Sequence, residues 1–201
     1  MKQIGLYFGS FNPIHNGHLA LGHYFLENTP LEEICFIISP QSPFKFNQSL
    51  LAEKNRCELV RIAIDKLEGF SYSTIEFELP KPNYTYDTIR HFIKKQPSDK
   101  FTLLMGEDNL AFFNQWKNYK EILDLVPLYI YPRTDSEAVP KFFSNHPKIK
   151  LFNGPKFDID STEIRSRLSK GQPIGEFVPD AGVKEIQNNN YYQRWAILIL
   201  D

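Results

Sequence analysis

Two histidines, His15 and His18, stand at the end of a glycine-containing stretch that begins at Gly9. An apolar run at residues 4–8 precedes the stretch, and a helical pattern at residues 19–26 follows it. A turn from a strand into a helix is a common phosphate site, because the helix N-terminus presents N–H groups and a positive dipole end. Histidine N–H donors placed there can stabilise charge on a phosphate. The pattern predicts a phosphate site, although the two histidines alone also fit incidental surface positions.

Two further polar groups of residues could take part in such a site. Ser161 and Thr162 can cap a helix, and Arg165 falls on the same helix face one turn later, within reach of a phosphate. An ordinary capped helix with a solvated arginine would give the same pattern. Asp108 follows a buried run at residues 101–106. Its carboxylate can accept hydrogen bonds from ribose hydroxyls, or it can cap the next helix.

The composition of this 201-residue chain argues against several classes of function. Its 23 basic and 24 acidic residues give a net charge of −1, whereas nucleic-acid-binding domains are usually clearly basic. No apolar run reaches the roughly 18 residues of a membrane span, and the N-terminus has no signal-peptide pattern. Cys35 and Cys57 lack neighbours typical of a metal site or a disulfide framework. We therefore expect a cytoplasmic protein that binds neither nucleic acid nor membranes and has no residue acting as a direct metal ligand.

Strand-like and helical segments alternate along the chain, which favours a doubly wound, mostly parallel α/β sheet with helices on both faces, a Rossmann-like fold. Ligands in such folds bind beyond the carboxyl ends of the strands, where the loop after Gly9 would lie. We expect one domain over residues 1–201, with residues 187–201 as a C-terminal extension of unassigned role. After the first strand and helix, the predicted strands are 33–38, 70–79, 101–106, 127–131 and 149–152. The predicted helices are 52–67, 86–95, 109–113, 120–125, 161–168 and 180–187.

The whole string Gly-Ser-Phe-Asn-Pro-Ile-His-Asn-Gly-His at residues 9–18 is more specific than its two histidines. It closely resembles the Gly-x-Phe-Asp/Asn-Pro-x-His-x-Gly-His signature of the nucleotidyltransferase superfamily related to class I aminoacyl-tRNA synthetases. The resemblance implies transfer of the α-phosphate group of a nucleoside triphosphate, with His15 and His18 as catalytic residues. Such a transfer needs positioning and charge stabilisation more than a protein nucleophile. The resemblance also implies that ATP contacts Gly9, Ser10, Phe11 and Gly17.

The segment around Arg165 resembles the Ser/Thr-x-Ile-Arg element of the same superfamily, which grips the β- and γ-phosphates. This resemblance implies that Ser161, Thr162 and Arg165 bind the tail of ATP. The usual first serine of the element is replaced here by Asp160, so only the other three residues are carried over.

Further matches point to one family within the superfamily, the nicotinate-nucleotide adenylyltransferases. Residues 43–45, Pro-Phe-Lys, resemble a Pro-His-Lys/Arg loop, which implies that Lys45 helps to hold the triphosphate even though phenylalanine replaces the histidine. Gly106 and Asp108 match a Gly-x-Asp element near the nucleotide. Arg133 resembles an arginine that flanks the adenine. A solvated loop lysine is the structural alternative for Lys45.

Two matches concern the acceptor of the transferred group. Residues 84–89, Tyr-Thr-Tyr-Asp-Thr-Ile, resemble a Ser-Tyr-Thr-x-Asp-Thr-Leu segment that opens a helix beside the nicotinate carboxylate. The match implies that Thr85 and Tyr86 bind the acceptor, and backbone N–H groups at a helix start suit a carboxylate. Trp116 matches the family's Phe-x-x-Trp, which implies stacking on the pyridine ring. A plain capped helix and a core tryptophan are the alternatives.

The resemblance as a whole implies that the protein uses ATP and nicotinate mononucleotide to make deamido-NAD and pyrophosphate. It also implies Mg²⁺, bound mainly through the ATP phosphates, since Mg²⁺ prefers phosphate oxygens and water. Nicotinamide mononucleotide or another phosphate monoester as acceptor, and a nucleotide-binding regulator without catalysis, are the alternatives. The apolar run at residues 196–200 leaves a homo-oligomer open.

Overall fold

The fold is built on one six-stranded sheet in which every pairing is parallel. It is seen in a computed structural model that describes residues 1–40, 50–132, 140–154 and 160–192. The strand order is β3-β2-β1-β4-β5-β6. This arrangement confirms the doubly wound α/β fold that the sequence predicts. The strands are β1 Gln3–Gly9, β2 Glu33–Ile38, β3 Phe70–Ser73, β4 Lys100–Gly106, β5 Leu128–Tyr131 and β6 Ile149–Leu151.

Helices cover both faces of the sheet, and each face has its own apolar core. Neighbouring strand residues point to opposite faces, so Tyr7 belongs to one core cluster and Leu6 to the other. Helices α1, α2, α7 and α8 pack on the first face, whereas α3 to α6 pack on the second. The helices are α1 Asn16–Asn28, α2 Glu53–Ile64, α3 Thr85–Lys95, α4 Glu107–Leu110, α5 Tyr119–Leu125, α6 Lys141–Ser144, α7 Ser161–Ser169 and α8 Asp180–Asn188.

The crevice of the sheet lies between its two central strands. From β1 the chain adds β2 and β3 on one side, and from β4 it adds β5 and β6 on the other, so the strand order reverses between β1 and β4. The two strands run side by side, with Leu6 paired to Leu103, and end at Gly9 and Gly106. Ligands of open α/β sheets bind beyond the carboxyl ends of strands at this reversal.

The predicted strand at residues 70–79 is wrong in its second half. The strand β3 ends at Ser73, and Ile75–Phe77 form a single 3₁₀ turn. The Ser73 hydroxyl accepts the Ile75 N–H at 3.3 Å, which offers the backbone a turn in place of the sheet ladder. The turn also buries Glu76, whose carboxylate accepts from the Thr88 hydroxyl at 2.8 Å. The short helix α6 was not predicted.

In the described ranges, no helix has the length and apolar character that crossing a bilayer would require.

Candidate active site

The loop after β1 is shaped by a close contact between Gly9 and Phe11. Phe11 is buried and has a positive φ of 44°, a backbone conformation that turns the chain sharply back. A Cβ atom on Gly9 would lie 2.9 Å from the Phe11 ring, so a side chain at Gly9 would displace the ring. The glycine is therefore needed for the packing of the loop against the strand end.

His15 and His18 are stacked on one another at the start of α1. His15 is the N-cap residue and is buried, while His18 lies in the first turn and is half-buried. Their ring centroids are 3.6 Å apart, and the His15 N–H donates to His18 Nδ1 at 3.2 Å. Because Nδ1 of His18 accepts this bond, a neutral His18 carries its proton on Nε2. His18 can therefore present an N–H donor to a ligand at the end of β1.

Residues from α7 are hydrogen-bonded directly to this loop. The Ser161 hydroxyl donates to the Pro13 carbonyl oxygen at 3.0 Å, and Arg165 Nη1 donates to the Asn12 carbonyl oxygen at 2.9 Å. Arg165 Nη2 also donates to Thr162 Oγ1 at 3.2 Å. The structure thus brings together the two elements that the sequence singled out near opposite ends of the chain.

Arg165 is held as a partly desolvated cation. Burial lowers the pKa of its guanidinium, and electrostatic interactions with Tyr192 and Asp160 oppose that effect. An arginine keeps its proton in such a setting, so the group remains a strong donor toward anions.

The helix α7 is not capped as the sequence predicted. The expected cap was Ser161 or Thr162, but the N-cap residue is Asp160, whose Oδ1 accepts the Glu163 N–H at 2.7 Å. Aspartate is as good an N-cap as serine. The replacement of the family's serine therefore preserves the cap and leaves the Ser161 hydroxyl for the bond to the loop.

Arg56 on α2 supports the same loop, although the sequence motifs did not point to it. It is buried, and its guanidinium donates only to backbone carbonyls in the described part of the chain. Burial lowers its pKa, opposed mainly by the nearby Cys57 and Glu53. The sequence did contain a signal for a buried arginine. Residue 56 precedes Leu59 by about one helical turn, which places the arginine on the apolar face of α2. Its acceptors are Ser10 at 2.6 Å, Ser39 at 2.8 Å, Pro40 at 3.2 Å and Leu51 at 3.0 Å.

On the other side of the crevice, Gly106 ends β4 and is the N-cap residue of α4. Asp108 is the second residue of α4, so it does not hold the capping position that was the alternative to a ribose contact. Its side chain lies in the first turn at the carboxyl end of a central strand. A ribose contact at Asp108 stays a prediction.

The predicted acceptor residues lie on the second face of the sheet. Helix α3 begins at Thr85, and its first backbone hydrogen bond runs from the Asp87 N–H to the Tyr84 carbonyl oxygen at 2.9 Å. The N–H groups of Thr85 and Tyr86 precede that bond and point out of the helix start. The predicted carboxylate receptor is therefore geometrically available.

Lys117 connects the Trp116 segment to the start of α3. Its Nζ lies 4.1 Å from the centre of the Tyr84 ring and 3.3 Å from Asp87 Oδ2. Trp116 itself is half-buried, with its ring centre 5.5 Å from that of Phe113. The indole is neither fully enclosed in the core nor fully exposed, and its neighbour in sequence touches the helix that carries Thr85.

Two predicted ATP residues, Lys45 and Arg133, lie outside the described residues. Within the described ranges, no three His, Cys, Asp or Glu side chains form a group that could hold a metal ion. This observation does not test the prediction that Mg²⁺ is bound through ATP, because most ligands of the ion would be phosphate oxygens and water.

The geometry defines a doubly wound α/β protein with a candidate phosphate site at the crevice of its sheet, and the sequence matches the cytidylyltransferase-like family over residues 6–167. The chain belongs to this family.

Relatives matched over their full length indicate which members of the family this chain is similar to in sequence. A protein of Cytophaga hutchinsonii named "Probable nicotinate-nucleotide adenylyltransferase" is 43% identical over 193 residues, covering 96% of this chain and 100% of the relative. A protein of Flavobacterium psychrophilum with the same name is 40% identical over 192 residues, with 96% and 100% covered. These relatives confirm the family that the sequence motifs indicated.

A solved structure confirms the fold. The nicotinic acid mononucleotide adenylyltransferase of Plasmodium falciparum, complexed with NaAD, superposes with a TM-score of 0.79 at 21% identity. The superposition covers 96% of this chain and 98% of that chain.

Proposed function

We propose that this protein transfers the adenylyl group of ATP to nicotinate mononucleotide, forming deamido-NAD and releasing pyrophosphate. The full-length relatives that carry this activity in their names support the proposal. The observation that carries it is the stacked pair of His15 and His18 at the N-terminus of α1, beyond the carboxyl end of β1. A phosphate placed there meets histidine donors and the positive end of a helix at once.

The chemistry is an in-line displacement at the α-phosphorus of ATP. A phosphate oxygen of the acceptor forms the new P–O bond, while the bond from the α-phosphorus to the bridging oxygen breaks and pyrophosphate leaves with that electron pair. No protein nucleophile is required, because the acceptor supplies its own. His18 donates from Nε2 to the α-phosphate oxygens, where negative charge is stabilised during transfer.

The leaving pyrophosphate is held at the start of α7. Arg165 provides a charge-assisted donor and Thr162 a hydroxyl, while Ser161, whose hydroxyl donates to the Pro13 carbonyl oxygen, provides its backbone N–H at the helix N-terminus. We assign Lys45 and Arg133 to the same nucleotide, at its tail and at its adenine. Gly106 and Asp108 flank the ribose from the other side of the crevice.

The acceptor is bound on the side of α3. The N–H groups of Thr85 and Tyr86 face the carboxylate of nicotinate, and the indole of Trp116 stacks on the pyridinium ring. A carboxylate gains more from these donors than an amide does, which favours nicotinate over nicotinamide.

Bound Mg²⁺ would supply charge neutralisation on the triphosphate, and it would be held by phosphate oxygens and water with little help from protein side chains. We place the reaction in the cytoplasm. Assembly of the chain into homo-oligomers stays a prediction.

Release of pyrophosphate from ATP and Mg²⁺ with each of three acceptors tests the proposal. The acceptors are nicotinate mononucleotide, nicotinamide mononucleotide and a pantetheine phosphate. We expect the highest kcat/KM with nicotinate mononucleotide, and the dinucleotide product identified by mass spectrometry. Release of pyrophosphate only with another acceptor would overturn the assignment of nicotinate mononucleotide as the acceptor. Release with none of the three would overturn the proposal that the protein is an adenylyltransferase.

A further inference from the structure

The end of the described chain returns to the loop that follows β1. After α8, Tyr192 inserts its side chain into the core on the first face of the sheet and is only 2% exposed. Its hydroxyl donates to Asn12 Oδ1 at 3.1 Å, although 180 residues separate the two in sequence. Its φ is positive at 67°, a conformation that a tyrosine rarely adopts unless its surroundings hold it there. Part of the C-terminal extension therefore lies directly behind the candidate active site.

Asn12 joins three distant segments of the chain. Its side-chain Oδ1 accepts from the Leu51 N–H at 3.0 Å as well as from the Tyr192 hydroxyl. Its carbonyl oxygen accepts from Arg165 Nη1 at 2.9 Å. Asn12 is 2% exposed, and the bond from Tyr192 is buried while the other two are partly buried, so competition from water is reduced. The side-chain bonds fix the orientation of Asn12, and that orientation decides where its carbonyl holds Arg165.

The Tyr192 phenol is suited to act as a donor in this position. Burial raises its pKa, and the charges of Arg165 and Arg56 oppose this effect without reversing it. The phenol therefore keeps its proton at neutral pH. A neutral hydroxyl can donate to Asn12 Oδ1, whereas a phenolate could not.

We propose that Tyr192 is a positioning residue for the triphosphate of the donor nucleotide: its hydroxyl orients Asn12, and Asn12 in turn holds Arg165 toward the β- and γ-phosphates. The inference rests on the proposed function for the identity of the nucleotide. It assigns a role to Tyr192 of the C-terminal extension, a residue that lies outside the motifs and outside the family match at residues 6–167.

The substitution Tyr192→Phe tests the proposal, because it removes one oxygen and keeps the ring that fills the core. The matched control is Tyr191→Phe, since the Tyr191 hydroxyl faces Glu185 of α8 at 3.5 Å and not the loop. Binding of α,β-methylene-ATP is measured by calorimetry without acceptor, and KM is measured for both substrates. One neutral hydrogen bond corresponds to about a two- to tenfold change in an equilibrium. We expect Tyr192→Phe to weaken nucleotide binding by that factor and to leave KM for the acceptor unchanged, and Tyr191→Phe to change neither.

A second measurement separates positioning from a general loss of packing. In an Arg165→Ala background, Tyr192→Phe should weaken nucleotide binding no further, because its effect passes through Arg165. Equal weakening with and without Arg165, or wild-type binding by Tyr192→Phe, would overturn the proposal. So would a matching loss in Tyr191→Phe.

The proposed function can fail separately from this inference. A wild-type protein that binds the nucleotide but transfers nothing to nicotinate mononucleotide would overturn the function alone. A wild-type protein that binds no adenine nucleotide would overturn both.

Discussion

The two halves of the candidate site are built in different ways. The donor half, around His18 and Arg165, is held by side chains from the loop after β1, from α2 and α7 and from the C-terminal segment, and its supporting bonds are buried or partly buried. The acceptor half uses α3 and the segment around Trp116, which lie within about 30 residues of each other in sequence. Its links, such as the Lys117–Asp87 ion pair at 3.3 Å, are exposed.

The difference follows from what each half has to do. Under the proposed function, the donor half must hold charged phosphates in one geometry while a bond breaks, so a rigid and partly desolvated frame is an advantage. The acceptor half must admit and release a flat ring and a carboxylate, for which backbone donors and one aromatic surface are enough. Changes in the donor half should therefore lower turnover or nucleotide binding, and changes in the acceptor half should mainly raise KM for the acceptor.

The largest effect is expected for His18→Ala, which removes the donor that we propose for the transferring phosphate. Loss of one such donor lowers turnover by about 10²- to 10³-fold. The helix itself should be retained, since alanine is a good helix former, so circular dichroism should remain close to wild type. Loss of the bond from the His15 N–H to His18 Nδ1 should lower the free energy of unfolding by about 1 kcal/mol, which is too little to unfold the protein. Steady-state kinetics with saturating substrates measure the change. His23→Ala, on an exposed position of the same helix, is the control and should leave kcat unaltered. Near-normal turnover in His18→Ala would show that the histidine is not part of the chemistry.

Arg165→Ala comes next and sharpens the comparison by addressing the leaving group. Hydrogen bonds from a charged group contribute about 1.5–3 kcal/mol, so we expect about a 10- to 100-fold loss in kcat/KM for ATP. KM for the acceptor should stay within about twofold, because Arg165 belongs to the donor half. Arg167→Ala serves as the matched variant, since Arg167 pairs with Glu163 at 2.8 Å on the surface of the same helix. If both arginine variants lose the same activity, the effect is one of helix stability and not of phosphate binding.

How far these residues could be read from the sequence depends on how local their signal is. The string from Gly9 to His18 carries its loop, its helix start and its two histidines within ten residues, and the structure places them as expected. The doubly wound sheet was equally readable, because strands and helices alternate with clear periodicity. The end of β3 was not, since a single hydroxyl on Ser73 decides between a strand and a turn.

The supporting frame was beyond the reach of sequence patterns. Tyr192 contacts Asn12 across 180 residues, and no spacing rule connects them. Arg56 was visible only as a charge on an apolar helix face, without any indication that carbonyls would satisfy it. Asp160 was recognised as a departure from the family pattern, but its function as the helix cap appears only from its bond to the Glu163 N–H. Local chemistry was thus predictable, whereas long-range positioning was not.

In the acceptor half, Trp116→Ala should raise KM for nicotinate mononucleotide by about tenfold and leave KM for ATP unchanged. Stacking on a flat ring contributes about 1–3 kcal/mol per base when measured by alanine substitution. Phe112→Ala is the control, because Phe112 is an exposed aromatic of the same segment at 45% exposure. If Trp116→Ala raised KM for ATP, or lowered kcat strongly with an unchanged KM for nicotinate mononucleotide, the proposed separation of donor and acceptor binding would be wrong.

The smallest effect is expected at Asp160. Its substitution tests whether the bonds from α7 to the loop after β1 hold the helix start in place when the helix cap is lost. Asp160→Ala removes the bond to the Glu163 N–H and should lower the free energy of unfolding by about 1 kcal/mol, measured by urea denaturation. Asp160→Ser keeps a capping oxygen and should stay close to wild type.

The two variants should change turnover less than they change stability. Ser161 and Arg165 remain bonded to the loop through Pro13 and Asn12, so the start of α7 is anchored without its cap. Turnover should therefore change less than about twofold in both variants, because losing the cap costs stability and not geometry. A fall in kcat for Asp160→Ala that Asp160→Ser restores would mean that the cap itself sets the phosphate geometry, and that the bonds to the loop are too weak to hold it.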